Sequence, residues 1–502
     1  MSTTVHDTSL HSEEQDRVWL ESQWEEEVVS RLPKDLQAQA IELGAWKRKR
    51  EMSSATDLLR GLLGYVLCAP SFRLLGAWAL LIGLADMCER AWRKRLRRAN
   101  AWLLWLCGEL IASPVESQWL RERAVGRVLL VDATRIRQVG GTGDDWRLHT
   151  AYELCAGRLS QVSLTDRHGG EKFAYYVLQE GDIVVADRGY GFRSSVAYAS
   201  KRKAYVVLRF VLRNFPVEDE QGEAIDLLAW AEHSQEEVTS RTCWSRWQGE
   251  RVQVRVIIRR FSEEEASKAR EQLRKKARKN GQRVSEQAWK AAGWLWLVTT
   301  LPAQTWSAQD VLRLYRARWQ IELVYKRMKQ LLKLGRVASK QREMVEATIR
   351  LRLIAWALQE EEASQLRAQL ALVATEESAE CLAGLEVDEV DAEESTECLA
   401  GLEADEREAE GQEHEREAQG EFTEHLSYAG PISTWLLTSL CLDCLTQQVR
   451  GYWTAARLRA CLPRLRRFCA SSPRRRVHQE TRLRAWLVPP RSQTAVQLTL
   501  RA

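Results

Sequence analysis

The sequence has 502 residues, a formal net charge of +5 and 45% apolar residues, enough to build the cores of about two to four domains. Its 11 cysteines are odd in number and its polar, acidic start lacks an apolar leader, so we expect a protein of the reducing cytoplasm, not a secreted one. The most apolar run, Leu74–Met87, is too short to span a membrane and predicts a buried helix; no membrane association is expected.

Three parts are predicted from the start of the chain to residue 292. Residues 1–120 are expected to be helical, because apolar residues recur at three- and four-residue spacing. Residues 125–210 contain the apolar runs RVLLVD, GDIVVAD and KAYVVLRF, which are typical of buried strands, with a crossover helix between the last two. Residues 211–292 combine a strand-like run with a charged helix and are predicted to form a β-rich insertion domain.

Three further parts follow. Residues 293–370 return to a strand, WLWLVTTL, and a long helix from Ala308, so the fold class is α/β. Residues 371–425 are acidic, and EESAECLAGLEVDE recurs there as EESTECLAGLEADE with a period of 17 residues. Two acidic copies favour a disordered or solvated insert over a solenoid. Residues 426–502 are predicted to be basic and helical.

The charge is unevenly distributed along the chain. Residues 371–425 hold 20 acidic residues against two arginines, a net charge of −18, so the rest of the chain carries +23. Such an excess predicts a polyanionic partner, and the clusters Arg93–Arg98 and Arg474–Arg476 suit a DNA backbone. One such cluster alone could equally be a solvated helix face, but the total excess favours DNA.

Two aspartates follow apolar runs that predict buried strands. Asp132 comes after VLLV and Asp187 after IVVA, so each is expected to end its strand at the edge of the sheet. Either could be only a turn or a helix cap. Two in one sheet point to a cation site instead, because carboxylates brought together usually share a cation.

Glu322 is the candidate for a third carboxylate because of the helix that carries it. Four residues at offsets 0, 3, 7 and 14 fall within an arc of roughly 60° on an α-helix. They are Tyr315, Arg318, Glu322 and Lys329. We interpret the acid as a metal ligand and the bases as phosphate contacts, in preference to a salt-bridged surface face.

These four residues have the spacing Y-x2-R-x3-E-x6-K, which resembles the signature of the family-4 insertion-sequence transposases of bacteria, members of the DDE group with a ribonuclease-H-like core. VDAT at Val131–Thr134 and VVADRGY at Val184–Tyr190 resemble the family's two aspartate blocks, although Ala133 stands where a glycine is common. The acidic positions are 55 and then 135 residues apart, and the long second gap fits a family that carries a β-rich insertion domain there.

The resemblance implies that Asp132, Asp187 and Glu322 form a catalytic triad. These carboxylates would bind two divalent ions, Mg²⁺ or Mn²⁺, and support phosphoryl transfer on DNA. Oxygen ligands suit these hard ions and disfavour zinc.

The resemblance also implies residues that contact DNA. Arg318 and Lys329 would hold phosphates near the scissile end, and Tyr315 would offer its hydroxyl to a phosphate. Trp296 would stack on a base flipped out of the transposon end, with Trp294 as the alternative.

Arg209, which ends a predicted strand, is one more candidate to face DNA. As a whole, the resemblance implies a transposase that cuts DNA at the ends of its own element and joins them to target DNA, through a hairpin intermediate. It would act as a homodimer in the cytoplasm, associated with the nucleoid, and residues 1–120 would recognise the terminal inverted repeat. Two alternatives stay open: a domesticated or inactive copy that binds DNA without cutting it, and a ribonuclease-H-like nuclease that hydrolyses without strand transfer.

Two other patterns carry less weight. Cys441–Cys444 is a C-x2-C, but its spacing to Cys461 and Cys469 fits no common zinc site, so core thiols are the better interpretation. His149 and His168 belong to no paired-ligand motif and are expected to be polar strand and loop residues.

Overall fold

The computed structural model describes residues 24–47, 51–69, 71–111, 126–141, 143, 145–382, 434–451 and 461. Most of the acidic repeat, the Arg474–Arg476 cluster, Cys469 and most of the predicted basic C-terminal region lie outside the described residues. No helix within the described ranges is both long enough and apolar enough to cross a membrane.

The N-terminal part of the described chain is helical, as predicted. After single turns at Trp24–Val28 and Val29–Arg31, it consists of α1 (Leu36–Glu42), α2 (Ala55–Leu67), α3 (Phe72–Leu81), α4 (Glu89–Arg98) and α5 (Asn100–Ile111). Ser54 and Ser71 begin α2 and α3 by accepting hydrogen bonds from backbone amides of the first turn.

A nine-stranded mixed sheet forms the centre of the molecule. Its strands are β1 (Val128–Gln138), β2 (Trp146–Glu153), β3 (Arg158–Asp166), β4 (Ile183–Ala186), β5 (Tyr205–Arg209), β6 (Val238–Trp247), β7 (Glu250–Arg260), β8 (Trp294–Thr299) and β9 (Arg336–Val337). The order is β3-β2-β1-β4-β5-β8-β7-β6, and β9 pairs with β1. The first three strands are antiparallel neighbours, whereas β4 and β5 run parallel to β1. The α/β class is therefore confirmed.

Helices cover both faces of this sheet. The helices that follow β4 along the chain are α6 (Arg193–Ser200), α7 (Leu227–His233), α8 (Glu263–Lys279), α9 (Glu286–Ala291), α10 (Ala308–Ala317), α11 (Trp319–Leu331), α12 (Arg342–Leu382) and α13 (Thr434–Arg450). Side chains alternate along each strand: Val128 and Leu130 pack in the core with the N-terminal helices and α10 to α12, and Leu129 and Val131 pack in the core with α6 and α7. The result is three layers, with the sheet in the middle.

Two features of the fold concern the predicted domain boundaries, which stay predictions. The segment 211–292 supplies β6 and β7, and β7 pairs with β8, so this segment extends the central sheet; its status as a separate domain stays a prediction. The pairing follows from the buried run Val254–Ile258, which contributes side chains to both cores. In addition, α12 continues to Leu382 and covers the beginning of the predicted acidic insert.

Candidate active site

Asp132 lies within β1, not at its end, so that part of the prediction is wrong. The strand continues to Gln138 because Ile136 and other residues beyond Asp132 still pair with β2. The neighbouring strand β4, however, ends at Ala186, opposite Val131. Asp132 is therefore the first residue of β1 that extends past its parallel neighbour. By alternation with Leu130 its side chain belongs to the face of the sheet on which α11 packs.

Asp187 follows the last residue of β4, as predicted. Because Val131 and Ala186 are partners in the parallel register, the next residues along the two strands are Asp132 and Asp187. The Asp187 carboxylate accepts a hydrogen bond of 2.8 Å from the Gly189 amide, which holds it in a tight turn. The register thus brings the two aspartates together at one edge.

Glu322 lies in the first turn of α11 and forms an ion pair of 2.5 Å with Arg318. The predicted long helix is interrupted at Arg318, which ends α10 and precedes α11, and its guanidinium lies 5.7 Å from the centre of the Tyr315 ring. Both charged side chains are partly shielded from solvent, with exposed fractions of 15% for Arg318 and 29% for Glu322. Three of the four residues of the predicted face therefore meet at this break.

The electrostatics of Asp132 show that the three acids are near one another. Burial raises the pKa of Asp132 to about 8; the charges of Asp187 and Glu322 add to this, and Arg318 and the Ala133 amide oppose it. A bound cation would relieve this repulsion among carboxylates.

A fourth carboxylate, Glu171, belongs to the same cluster and was missed by the sequence reasoning. A Cβ on Gly189 would lie 1.6 Å from Glu171 Oε2 and 3.0 Å from Asp187 Oδ1, so both carboxylates border the same small space. Burial raises the pKa of Glu171, and the charge of Asp187 raises it further. No periodic pattern marks Glu171, because it lies in the loop between β3 and β4.

Two tyrosines that the sequence reasoning also missed bind the backbone of Asp132. The hydroxyls of Tyr325 and Tyr176 donate hydrogen bonds of 2.8 and 3.2 Å to its carbonyl oxygen. Burial raises the pKa of both phenols above their ordinary value, so both keep their proton at neutral pH. Tyr325 stands three residues after Glu322 on α11, and that spacing was the available indication of a shared helix face.

The residues predicted to contact DNA differ in their exposure to solvent. Lys329 is exposed in the last turn of α11, whereas the Tyr315 hydroxyl is buried and has no hydrogen-bond partner among the described residues. Arg209 ends β5 opposite Leu297 of β8 and is half-buried. Their roles toward DNA stay predictions.

The two tryptophans of β8 differ in exposure. Trp296 is only 5% exposed, and its indole N–H donates to the Ala291 carbonyl at 2.8 Å. Trp294 is half-buried, with its ring centre 6.1 Å from that of Trp296. In this conformation Trp296 is a core residue, and of the two only Trp294 offers appreciable surface.

The cysteines predicted to be core thiols are buried at Cys441 and Cys461, but the prediction is wrong for Cys444, which is exposed on α13. His149 is buried in β2, where its ring stacks on Tyr175 at 4.2 Å.

The donor set fits a hard divalent cation, because the negative charge of Asp187 adds to burial in raising the pKa of both Asp132 and Glu171, so three carboxylates lie near one another. Across the described ranges, no three His, Cys, Asp or Glu side chains lie close enough to hold a metal ion as they stand. Glu322 is engaged by Arg318, so it would join such a site by exchanging this partner.

Known proteins resemble the chain in sequence. Residues 123–358, a range that contains all three predicted catalytic acids, match the family described as the transposase DDE domain. The chain is 30% identical over 338 residues to the putative transposase InsL for insertion sequence element IS186A of Escherichia coli strain K12, a match that covers 64% of this chain and 89% of that protein. It is also 30% identical over 342 residues to the transposase for insertion sequence element IS421 of Escherichia coli, with the same coverage of 64% and 89%. The chain therefore belongs to the DDE transposases of bacterial insertion sequences, a family of enzymes, as the sequence resemblance predicts.

Proposed function

We propose that this transposase cleaves DNA at the ends of its own element and transfers them to target DNA, with Asp132, Asp187 and Glu322 as the catalytic, metal-binding carboxylates. The proposal includes two ions of Mg²⁺ or Mn²⁺, a hairpin intermediate, and a homodimer on terminal inverted repeats. It also includes a ribonuclease-H-like core and a place in the cytoplasm at the nucleoid.

One observation carries this proposal: three acids from distant parts of the chain converge at one edge of the sheet. The parallel register of β1 and β4 sets Asp132 beside Asp187, and α11 brings Glu322 within electrostatic reach of Asp132. On a surface without a binding function such carboxylates would lie further apart, because repulsion between partly buried carboxylates costs stability.

In the proposed mechanism the protein holds and orients the reacting groups. Bound divalent ions would supply activation of an attacking hydroxyl and neutralisation of charge on the leaving oxygen during phosphoryl transfer. Asp132 would hold these ions from β1 and Asp187 from the turn that follows β4, and Glu322 would complete the set from α11. Arg318, once released from Glu322, presents a bidentate fork to a DNA phosphate, and the exposed Lys329 adds a point charge.

The N-terminal helices supply a second surface for DNA. On α4, Trp92 and Leu96 are buried, whereas five cations point to solvent. They are Arg90, Arg93, Lys94, Arg97 and Arg98. We infer that this face contacts the phosphate backbone of the terminal repeat, because a row of exposed cations on one helix matches regularly spaced phosphates.

Single substitutions test the catalytic assignment. Asp132→Ala, Asp187→Ala and Glu322→Ala should each abolish Mg²⁺-dependent cleavage of a duplex that ends in the terminal repeat, while binding to that duplex stays near wild type. Asp166→Ala is the matched control, because Asp166 ends β3, is exposed and lies outside the acidic cluster. Normal cleavage by any of the three variants would remove that residue from the triad.

The same assay separates the proposal from its alternatives. Wild-type protein that binds the duplex but never cuts it would indicate a domesticated or inactive copy, and cutting without strand transfer would indicate a nuclease. Lys329→Ala should weaken binding to the DNA end uniformly and reduce the slope of log Kd against log salt concentration by about one. An unchanged slope would show that Lys329 is only a solvated surface residue.

A further inference from the structure

Four buried hydroxyls form a hydrogen-bonded network that ends at the backbone carbonyl of Asp132. Tyr325 and Tyr176 donate to this carbonyl directly. Behind them, Thr150 lies 2.6 Å from the Tyr325 hydroxyl and Tyr190 lies 2.9 Å from the Tyr176 hydroxyl. All four side chains are at most 5% exposed, so water does not replace these bonds.

The direction of every bond follows from the number of protons. Each hydroxyl has one proton to donate. Tyr325 and Tyr176 use theirs on the Asp132 carbonyl, so they must accept from their second partners. The chain of donation therefore runs from Thr150 through Tyr325, and from Tyr190 through Tyr176, to one oxygen with two lone pairs. The network is complete, because no hydroxyl in it lacks a partner and both lone pairs are used.

The members come from the same segments as the three acids. Tyr325 stands one turn after Glu322 on α11. Tyr190 lies three residues after Asp187, and its amide donates to the Asp187 carbonyl at 3.2 Å. The shared acceptor belongs to Asp132 itself. The network thus ties together, at one atom, the three pieces of chain that carry the proposed triad.

We propose that the hydroxyls of Tyr325, Tyr176 and Tyr190 are positioning groups that set the distances between Asp132, Asp187 and Glu322. β1 needs such support at this point, because β4 ends opposite Val131 and no longer holds the strand from that side. A complete buried network resists small displacements, since breaking any bond leaves a buried polar atom without a partner. This inference rests on the proposed function of the three acids.

The test removes single oxygens. Tyr325→Phe keeps the ring and deletes both hydrogen bonds of that arm. Tyr198→Phe is the matched control, because the Tyr198 hydroxyl also donates to a backbone carbonyl, that of Tyr176, at 3.2 Å, but stands outside the network. Three measurements are made on the full-length protein: single-turnover cleavage of the terminal-repeat duplex, Mn²⁺ affinity by paramagnetic resonance of the free ion, and thermal unfolding.

We expect Tyr325→Phe to reduce both the cleavage rate and the Mn²⁺ affinity by about 10- to 100-fold, the usual effect of losing a group that orients metal ligands. Metal-free binding of DNA should be unchanged, and Tyr198→Phe should match the wild type in all but a small change of unfolding temperature. Tyr190→Phe, which deletes only the outer bond of the other arm, should give a smaller loss than Tyr325→Phe and a larger one than the control. It also keeps the test decisive if Tyr325→Phe does not fold.

Three results would overturn the inference. If the network variants lose only thermal stability, with cleavage and Mn²⁺ affinity equal to those of Tyr198→Phe, then the hydroxyls serve the fold alone. If Asp132→Ala cleaves normally, the proposed function fails and this inference fails with it. An inactive Asp132→Ala beside a fully active Tyr325→Phe would refute the positioning role and leave the triad intact.

Discussion

Gly191 offers a sharp test of how closely the loop after Asp187 must approach the sheet. A Cβ at this position would lie 2.2 Å from the Arg209 carbonyl oxygen and 2.9 Å from Phe210 Cα. Ordinary contact begins at 3.4 Å, so Gly191→Ala requires a shift of about 1 Å. The obstructing atoms are backbone at the end of β5, which pairs with β4 and β8, so the loop must move instead of the strand.

We expect two consequences of Gly191→Ala. The free energy of unfolding should fall by about 1–3 kcal/mol, as for an overpacked core. Because the moving loop begins at Asp187, a displacement of about 1 Å should also reduce cleavage by about 100-fold. Urea unfolding and single-turnover cleavage measure the two effects.

Gly108→Ala is the control for this prediction. Gly108 is exposed on α5, and an added Cβ meets nothing within 4 Å. This substitution should stabilise the protein by about 0.5–1 kcal/mol, because alanine favours the helix, and should leave cleavage unchanged. Wild-type stability and activity in Gly191→Ala would refute the argument that the loop is confined by backbone contact.

Three further outcomes are expected. Glu171→Gln should raise the thermal unfolding midpoint without metal, because it relieves repulsion with Asp187, and should lower Mn²⁺ affinity by about tenfold; equal Mn²⁺ affinity would place Glu171 outside the site. Burial lowers the pKa of His149 to about 4 from an ordinary 6.5. At pH values between 4 and 6.5, unfolding therefore takes up a proton, and the free energy of unfolding falls as the pH drops from about 6.5 to 4. His149→Gln should lack this fall, a difference of about 3 kcal/mol at pH 4 in urea titrations; parallel pH curves would contradict it. Trp296→Ala should lower the free energy of unfolding in urea by about 3–5 kcal/mol, because the Trp296 ring is buried. Trp294→Ala should lower it less. Loss of hairpin cleavage in Trp294→Ala would indicate that Trp294 stacks on a base.

The sequence predicted the strands around Asp132 and Asp187 well, because buried parallel strands produce continuous apolar runs. It misplaced the end of β1, because the polar residues that follow Asp132 in the chain still pair with β2. It found Glu322 through helical periodicity, yet it missed the break at Arg318, whose backbone angles stay helical. Glu171 and Tyr176 lie in loops, where position depends on tertiary contacts and leaves no periodic trace.

The carboxylates of Asp132, Asp187 and Glu322 destabilise the fold by repulsion, whereas the hydroxyl network behind Asp132 stabilises it. Behind Asp132, every hydroxyl of the network has a partner and its side chain is buried, so that part of the molecule favours a single arrangement. In front of it, carboxylates from three segments repel one another, and Arg318 is the cation that engages Glu322. Conflict of this kind costs stability and persists where a function requires it. A rigid support beneath a repulsive set of acids is the arrangement expected of a site that binds cations and positions them for chemistry, and it is harder to reconcile with a protein that only binds DNA.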